Sequence, residues 1–306
     1  VRSISGKGCY VTHVLKDGSE VVRYGTAGIP LSIITENLSD YLNMHSIAHW
    51  HEDLEIIYVI SGQLFYHVNG DSFLLKTNEC VLVNAGQIHY GTSDNYTDCT
   101  FTCVLFHPKL FSGSRKLYDK CLKPILEDPM FNYIRIPSGH DMHAEIASLV
   151  LESIALQAES MISFELLVMS RLSKLLWDLS QKDDALVYGM GYDSHAPEIE
   201  AQRKMLSFIR QGYMEHITLA DIAASGNVCR SKCCELFKKY IMQSPIEYLR
   251  YYRLEVSRSL LENSSSSITD IAGLCGFEQA SYFIRLFKEK YGMTPAAFRK
   301  GKKGRS

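Results

Sequence analysis

No stretch of the 306-residue chain reaches the roughly 18 consecutive apolar residues of a membrane-crossing helix, which argues against an integral membrane protein. The first residues, VRSISGKGCYVTHV, lack the apolar core of a secretory signal. A disulfide framework is missing too, because the nine cysteines are odd in number and irregular in spacing. A reducing cytoplasm is therefore expected. Net charge is nearly absent, at −2. What the chain does have is 46% apolar and 22% charged residues, the balance of a globular protein rather than a disordered one. Its length predicts two domains.

The small net charge hides a division. Residues 1–197 hold 14 Lys and Arg against 23 Asp and Glu, a balance of −9. Residues 198–306 hold 18 against 11, a balance of +7. A basic module joined to an acidic one points to a polyanion as partner of the second half.

From about residue 20 to 107, β-branched and aromatic runs alternate with turn residues. SIITENL, LEIIYVI, QLFYHV, SFLLK, CVLVNA and CTFTCVLFH are separated by SG, NG, TN and AG, which predicts an all-β barrel or sandwich. Asn69-Gly70 in VNGDS suits a type I′ hairpin turn. Over residues 140–180 the period changes. Ile146, Leu149, Val150 and Ile154, then Leu166, Leu167, Leu172, Leu175 and Leu176, recur at helical spacing. They predict two amphipathic helices with a break near Ser160–Ser163, packed on their own domain or paired with a second subunit. QKDDALVYGMGYDSHAP, residues 181–197, interrupts the pattern with Gly, Pro, Asp and Ser and reads as a linker.

From 198 onward the chain is expected to be helical and contains an internal repeat. Asp221-Ile222-Ala223 matches Asp270-Ile271-Ala272 at an offset of 49, and Leu236-Phe237-Lys238 matches Leu286-Phe287-Lys288 at an offset of 50. Ser244-Pro245 matches Thr294-Pro295 at the same offset of 50. Thr218 and Ser267 stand where they would cap short helices, each with an aspartate three residues on in the manner of a capping box. Gly226-Asn227 in one copy and Gly276 in the other supply a tight turn. A second helix follows, with Cys233, Leu236 and Phe237, or Phe283, Leu286 and Phe287, as its buried face. Each copy is a helix-turn-helix, whose second helix enters the DNA major groove. IEYLRYYRLEVSRSLLEN, residues 246–263, forms a single long helix between them and holds two recognition helices on one face of a duplex.

Here the sequence resembles the AraC/XylS family of bacterial transcription regulators. The resemblance covers 198–300 and is densest in ITDIAGLCGFEQASYFIRLFKEKYGMTPAAFR. It implies helix-turn-helix units at 218–240 and 267–290 that contact promoter DNA. The first unit's second helix carries Arg230, Ser231, Lys232, Cys234, Glu235 and Lys238 opposite its buried face, on the side expected to meet DNA. Carried over by position, the DNA-contacting residues there are Ser231, Cys234, Glu235 and Lys238. In the second they are Gln279, Ala280, Ser281, Arg285 and Lys288. Lys238 and Lys288 stand where phosphate contacts are expected. The first unit departs from the family at Cys233, usually Leu, and Glu235, usually Arg. Cys229, Cys233 and Cys234 form a C-x3-C-C set without a fourth ligand and read as structural.

The same family often carries an N-terminal cupin-like barrel, and residues 20–107 resemble one. His49, His51, Glu55 and Gly62 in HWHEDLEIIYVISG fit its first motif, and Asn84-Ala85-Gly86-Gln87-Ile88-His89 stands for its second. Asn78 occupies a place where that pattern has glycine, and Ser93 one where it has asparagine. Strand alternation predicts His49, His51 and Glu55 on one inward face. With His89 they are expected to line the effector site. The favoured reading is a polar pocket that requires no cofactor, and the alternative is a divalent transition metal on the three-His, one-Glu set.

The fold expected is therefore multi-domain. An all-β cupin-like barrel (1–139) is followed by a helical dimerisation segment (140–180), a linker (181–197) and an all-α DNA-binding domain with two helix-turn-helix units (198–306). The function expected is a cytoplasmic, homodimeric transcription regulator that binds double-stranded promoter DNA. It answers to a small-molecule effector, a sugar or related metabolite. The alternative is a metal-dependent cupin enzyme with a DNA-binding tail.

Overall fold

A computed structural model describes residues 15, 19–26, 28–93, 95–128, 130–158, 164–181, 185–189 and 196–303. The expected break at Ser160–Ser163 and most of the expected linker lie outside them. The described residues divide into two compact units, one sheet-rich and one helical, and the helical one comprises 196–303 together with 15, 19–21 and 40–43.

The sheet-rich unit has eight strands among the described residues: β1 (Leu31–Asn37), β2 (Leu54–Val68), β3 (Asp71–Lys76), β4 (Cys80–Val83), β5 (His89–Thr92), β6 (Cys99–Phe106), β7 (Tyr133–Ile136) and β8 (Val187–Tyr188). Their order is β1-β6-β2-β4-β7-β8, with β3 and β5 paired to β2, and all pairs are antiparallel. LEIIYVI and QLFYHV, expected as two strands, form the single fifteen-residue strand β2. Between them the chain makes a bulge at Ile60 rather than a turn, because the register with β6 steps from Val59 opposite Phe101 to Ser61 opposite Thr100. Gly62 sits at φ +83°, and a Cβ there would collide with the backbone of Asp98 and Cys99. Up to Gly62, across the bulge, β2 pairs with β6, and before it also with β4; from Gln63 onward it pairs with β3 and from Phe65 also with β5.

Other turns follow the sequence closely. Asn69 and Gly70 both have positive φ, +49° and +91°, as a type I′ hairpin requires. Asn78, standing where the cupin pattern has glycine, takes the left-handed conformation at φ +66°. Asparagine tolerates that region better than most side chains. β5, β7 and β8 escaped the sequence reading because they are short, and β8 lies within the stretch expected as a linker. Leu186 is buried there and Val187–Tyr188 pair with β7, so the linker begins later than its polar composition suggests.

Two helical turns, α1 (Arg115–Leu117) and α2 (Lys123–Leu126), precede the long helices α3 (Asp141–Ala158) and α4 (Phe164–Ser180). Ile146, Leu149 and Val150 of α3 and Leu172, Leu175 and Leu176 of α4 join the core formed by Leu54, Ile56, Tyr58, Leu82 and Val104. The helices expected as a separate segment therefore complete the sheet's own core and belong to its unit. Arg171 of α4 ties them together by ion pairs to Glu145 and Glu152 of α3, at 3.1 and 2.9 Å.

The helical unit contains α5 (Ala196–Gly212), α6 (Leu219–Ser225), α7 (Arg230–Ile241), α8 (Pro245–Asn263), α9 (Ile268–Leu274), α10 (Ala280–Tyr291) and α11 (Pro295–Lys303). Thr218 and Ser267 each cap a helix with a complete capping box, as does Ser244. The two copies also turn alike. Val228 donates its N–H to the Ala223 carbonyl and Phe277 to that of Ala272, and Asn227 and Gly276 hold the positive φ before them. Gly226 itself is not left-handed. Cys233, Leu236, Phe237, Phe283 and Phe287 are wholly buried, whereas Leu286 is only partly so.

Two substitutions separate the places where glycine is required from those where it is merely favoured. Gly62→Ala should lower the unfolding free energy by about 2 kcal/mol or more, because strain and a backbone collision coincide. Met242, exposed at the left-handed end of α7 where α10 has Gly292, should behave oppositely. Met242→Gly is expected to stabilise the chain by about 0.5–1 kcal/mol. Urea denaturation of both variants reads both effects, and an unchanged midpoint for Gly62→Ala would refute the first.

Candidate functional site

His49, His51, Glu55 and His89 come together in the sheet-rich unit, their ligating atoms all within 4.8 Å of one another. Three of them are nearly sealed from solvent, His51 at 2%, Glu55 at 4% and His89 at 1% exposure. They do not converge by strand alternation as expected. His49 and His51 precede β2 in irregular chain that touches β5 through a bridge between His49 and His89. Glu55 comes from the start of β2 and His89 from the start of β5. The Glu55 Oε2 atom lies 2.7 Å from His89 Nε2 and 3.7 Å from His51 Nε2.

Each imidazole is held from behind. Nδ1 of His49, His51 and His89 lies 2.7, 3.0 and 2.8 Å from the carbonyl oxygens of Ile47, Asp53 and Gln87. A carbonyl only accepts, so Nδ1 carries the proton and donates in all three. In the neutral rings every Nε2 therefore presents a lone pair. Burial, and then the neighbouring His89 and His51 rings, push the His49 pKa well below its ordinary value. Burial alone would raise Glu55, but the facing His89 and His51 outweigh it and hold the carboxyl well below its usual range.

Tyr66 is a member of the cluster that the sequence reading missed. Its hydroxyl donates to Glu55 Oε2 at 3.2 Å. Eleven residues along a regular strand would place it on the opposite face from Glu55. The bulge at Ile60 shifts the phase and brings it back. Asn84, the first residue of the second motif, serves the frame instead, donating to the Leu126 and Phe131 carbonyls.

In the helical unit, Arg230, Ser231, Cys234, Glu235 and Lys238 are exposed along α7. Gln279, Ser281, Arg285 and Lys288 are exposed on and just before α10, and Ala280 is half-buried. Arg285 lies with its guanidinium carbon 5.4 Å from the Tyr282 ring centre. Lys232 departs from the expected groove face. Its ammonium is 2.6 Å from Glu198 of α5 and 2.8 Å from Glu235, and these contacts push its pKa up to about 12. Glu198 also pairs with Lys239 at 2.8 Å and accepts from Tyr240, and Lys232 first, then Lys239 and Tyr240, hold its own pKa down to about 2. Helix α7 is thus pinned to α5 through a residue of the side expected to meet DNA.

Residues 38–176 match the model of the AraC-like ligand binding domain, and residues 222–301 match a helix-turn-helix domain model. The chain belongs to the AraC family of transcription regulators. It is 25% identical to the uncharacterized HTH-type transcriptional regulator YdeC of Bacillus subtilis, over 92% of this chain and 95% of that one. It is 31% identical to the lactose operon transcription activator of Staphylococcus xylosus, over 46% and 49%. Among solved structures, the C-terminal domain of the response regulator yesN from Fusobacterium nucleatum is similar to 32% of this chain. It matches over 97% of its own length at 28% identity, with a TM-score of 0.31.

These AraC-family relatives are regulators and not enzymes, so the paired helix-turn-helix units account for the basic half of the chain. Within that half the two copies should differ in what they contribute. Arg285→Ala is expected to cost about 1–3 kcal/mol in specific binding and to relax preference at one or two base pairs. Lys232→Ala should cost less, since Glu198 already holds the ammonium. Affinity selection of binding sites with each variant checks this, and an unchanged sequence preference for Arg285→Ala would end its assignment.

Proposed function

We propose that this AraC-family regulator binds promoter DNA sequence-specifically in the cytoplasm as a homodimer, and that a small-molecule effector held in the sheet-rich unit alters its DNA affinity. The observation that carries the reading is the presence in one chain of two helix-turn-helix units and a ligand-binding domain that encloses a sealed His/Glu cluster. Base contacts are assigned to Ser231, Cys234 and Glu235 of α7, and to Gln279, Ser281 and Arg285 at α10. Lys238 and Lys288 approach phosphates. A sugar or related metabolite is the effector class proposed, in keeping with the lactose operon activator among the relatives. The effector can act only through a difference in its affinity for two arrangements of the chain.

Dimerisation is assigned to α3 and α4. Their inner faces are spent on the sheet's core, yet Leu166 is 69% and Trp177 56% exposed. Eleven residues apart, these two fall on one line of α4, since three helical turns span about 11 residues. Leu151 of α3 and Leu167 add further apolar surface.

Sedimentation of the whole chain tests the assembly. The parent is expected to sediment as a dimer and Leu166→Asp/Trp177→Asp as a monomer with intact fold. Affinity for promoter DNA, measured with and without a panel of mono- and disaccharides, tests the switch. A coupling of about 5-fold or more is expected for at least one of them. A dimer unaffected by both aspartates would place the interface elsewhere.

A further inference from the structure

We infer that His49, His51, Glu55 and His89 hold a single divalent transition-metal ion, for which borderline metals such as iron(II), manganese(II), cobalt(II), nickel(II) and zinc(II) are the chemical class. This deepens the proposed function by naming the ligand of the cluster. Its consequence for transcription rests on that reading, whereas ion binding does not.

Each ring is fixed from behind. Three Nδ1–H groups are each committed to a backbone carbonyl, so Nε2 is the atom each ring can offer to a metal. Backbone carbonyls that fix the tautomer and orientation of each ring are the arrangement found behind metal-ligating histidines. With the Glu55 carboxylate these make four electron-pair donors close together, a set that one divalent ion can take at once.

Size points the same way. With metal–donor bonds of about 2.0–2.2 Å, two donors on one ion stand at most about 4.4 Å apart. The donors here all lie within 4.8 Å, so the widest pair needs to close by only a few tenths of an ångström. A sugar ring does not fit between side chains this close, so a metabolite cannot occupy the cluster itself. Three imidazoles and one carboxylate favour first-row transition metals over calcium or magnesium, which take oxygen donors. The ion would join three separate pieces of chain: the stretch at 49–51, the start of β2 and the start of β5. The Tyr66 hydroxyl on Glu55 fixes the carboxylate in turn.

The test uses the full chain prepared without an affinity tag, stripped with a chelator and offered cobalt(II) or zinc(II) alone. About one ion per chain is expected to survive gel filtration, with visible cobalt absorption typical of imidazole and carboxylate donors and a raised melting temperature. Glu55→Gln, which keeps shape and removes charge, and His89→Ala should each weaken retention by more than about 10-fold. Cys229→Ser/Cys234→Ser should leave it intact, which excludes the exposed thiols of the helical unit as the site. No retained ion in the parent, or retention unchanged in both Glu55→Gln and His89→Ala, overturns the inference. Circular dichroism of the stripped variants separates lost ligation from lost fold. Promoter-DNA affinity with and without ion separates the two readings. An ion that binds but leaves DNA affinity unchanged upholds the site and removes it from the switch.

Discussion

The sheet-rich unit depends on one short stretch of β2, Ile60–Gly62. Ile60 is the extra residue of a bulge against β6, and Gly62 passes the Asp98–Cys99 backbone at a positive φ that a residue with a Cβ could take only by colliding with it. Here one strand passes between two sets of partners, β4 and β6 up to Gly62, then β3 and β5 beyond it. The shift of phase that comes with the bulge sends Leu54, Ile56 and Tyr58 into the core with α3 and α4 while Tyr66 reaches Glu55. Strand pairing, core and candidate site therefore share a single geometric cause. Were β2 straight, the cluster would lose either its carboxylate or the hydroxyl that holds it.

The helical unit is organised around α8 in a comparable way. Arg253 leaves α8 to donate to the Tyr213 and Glu215 carbonyls, both 2.7 Å away, in the loop that follows α5. Gly276, at the turn of the second helix-turn-helix, presses on that same loop, and a Cβ there would come within 2.9 Å of the Met214 carbonyl oxygen. Near the other end of α10, the Tyr291 hydroxyl donates to the Leu254 carbonyl and to Glu255, both on α8. Arg210, wholly buried, donates from α5 to Tyr248 near the start of α8. The two units are thus not beads on a rod. Each is fastened to the shared helix and to α5, which fixes how one recognition helix stands relative to the other.

Much of this was legible in the sequence, for identifiable reasons. Thr218 and Ser267 announced their helices because a capping box is a local, three-residue event. The offset that grows from 49 at Asp270-Ile271-Ala272 to 50 at Leu286-Phe287-Lys288 showed, without reference to any contact, that the second copy carries one more residue between them. The convergence of His49, His51, Glu55 and His89 was also anticipated, but by the wrong route. Alternation was assumed along 49–55, where the chain is in fact irregular until Leu54. Tyr66 was invisible because its parity relative to Glu55 is reversed by a bulge, and bulges are set by long-range pairing. Lys232 looked like a groove residue because nothing local reveals that Glu198, thirty-four residues earlier, holds it. β8 was hidden by composition, since two residues in a Gly- and Asp-rich stretch carry no periodic signal.

In the proposed mode of binding, one chain presents two recognition helices, α7 and α10, to successive segments of the same duplex. Hydroxyl-radical footprinting of the isolated residues 196–303, or of the whole chain if that piece does not fold alone, measures this directly. Two protected patches per chain are expected on one face of the DNA, centred about 10 base pairs apart. Arg285→Ala should weaken the patch of the second unit more than that of the first. A single patch, or two patches that fade together when either helix is altered, would contradict this mode of binding.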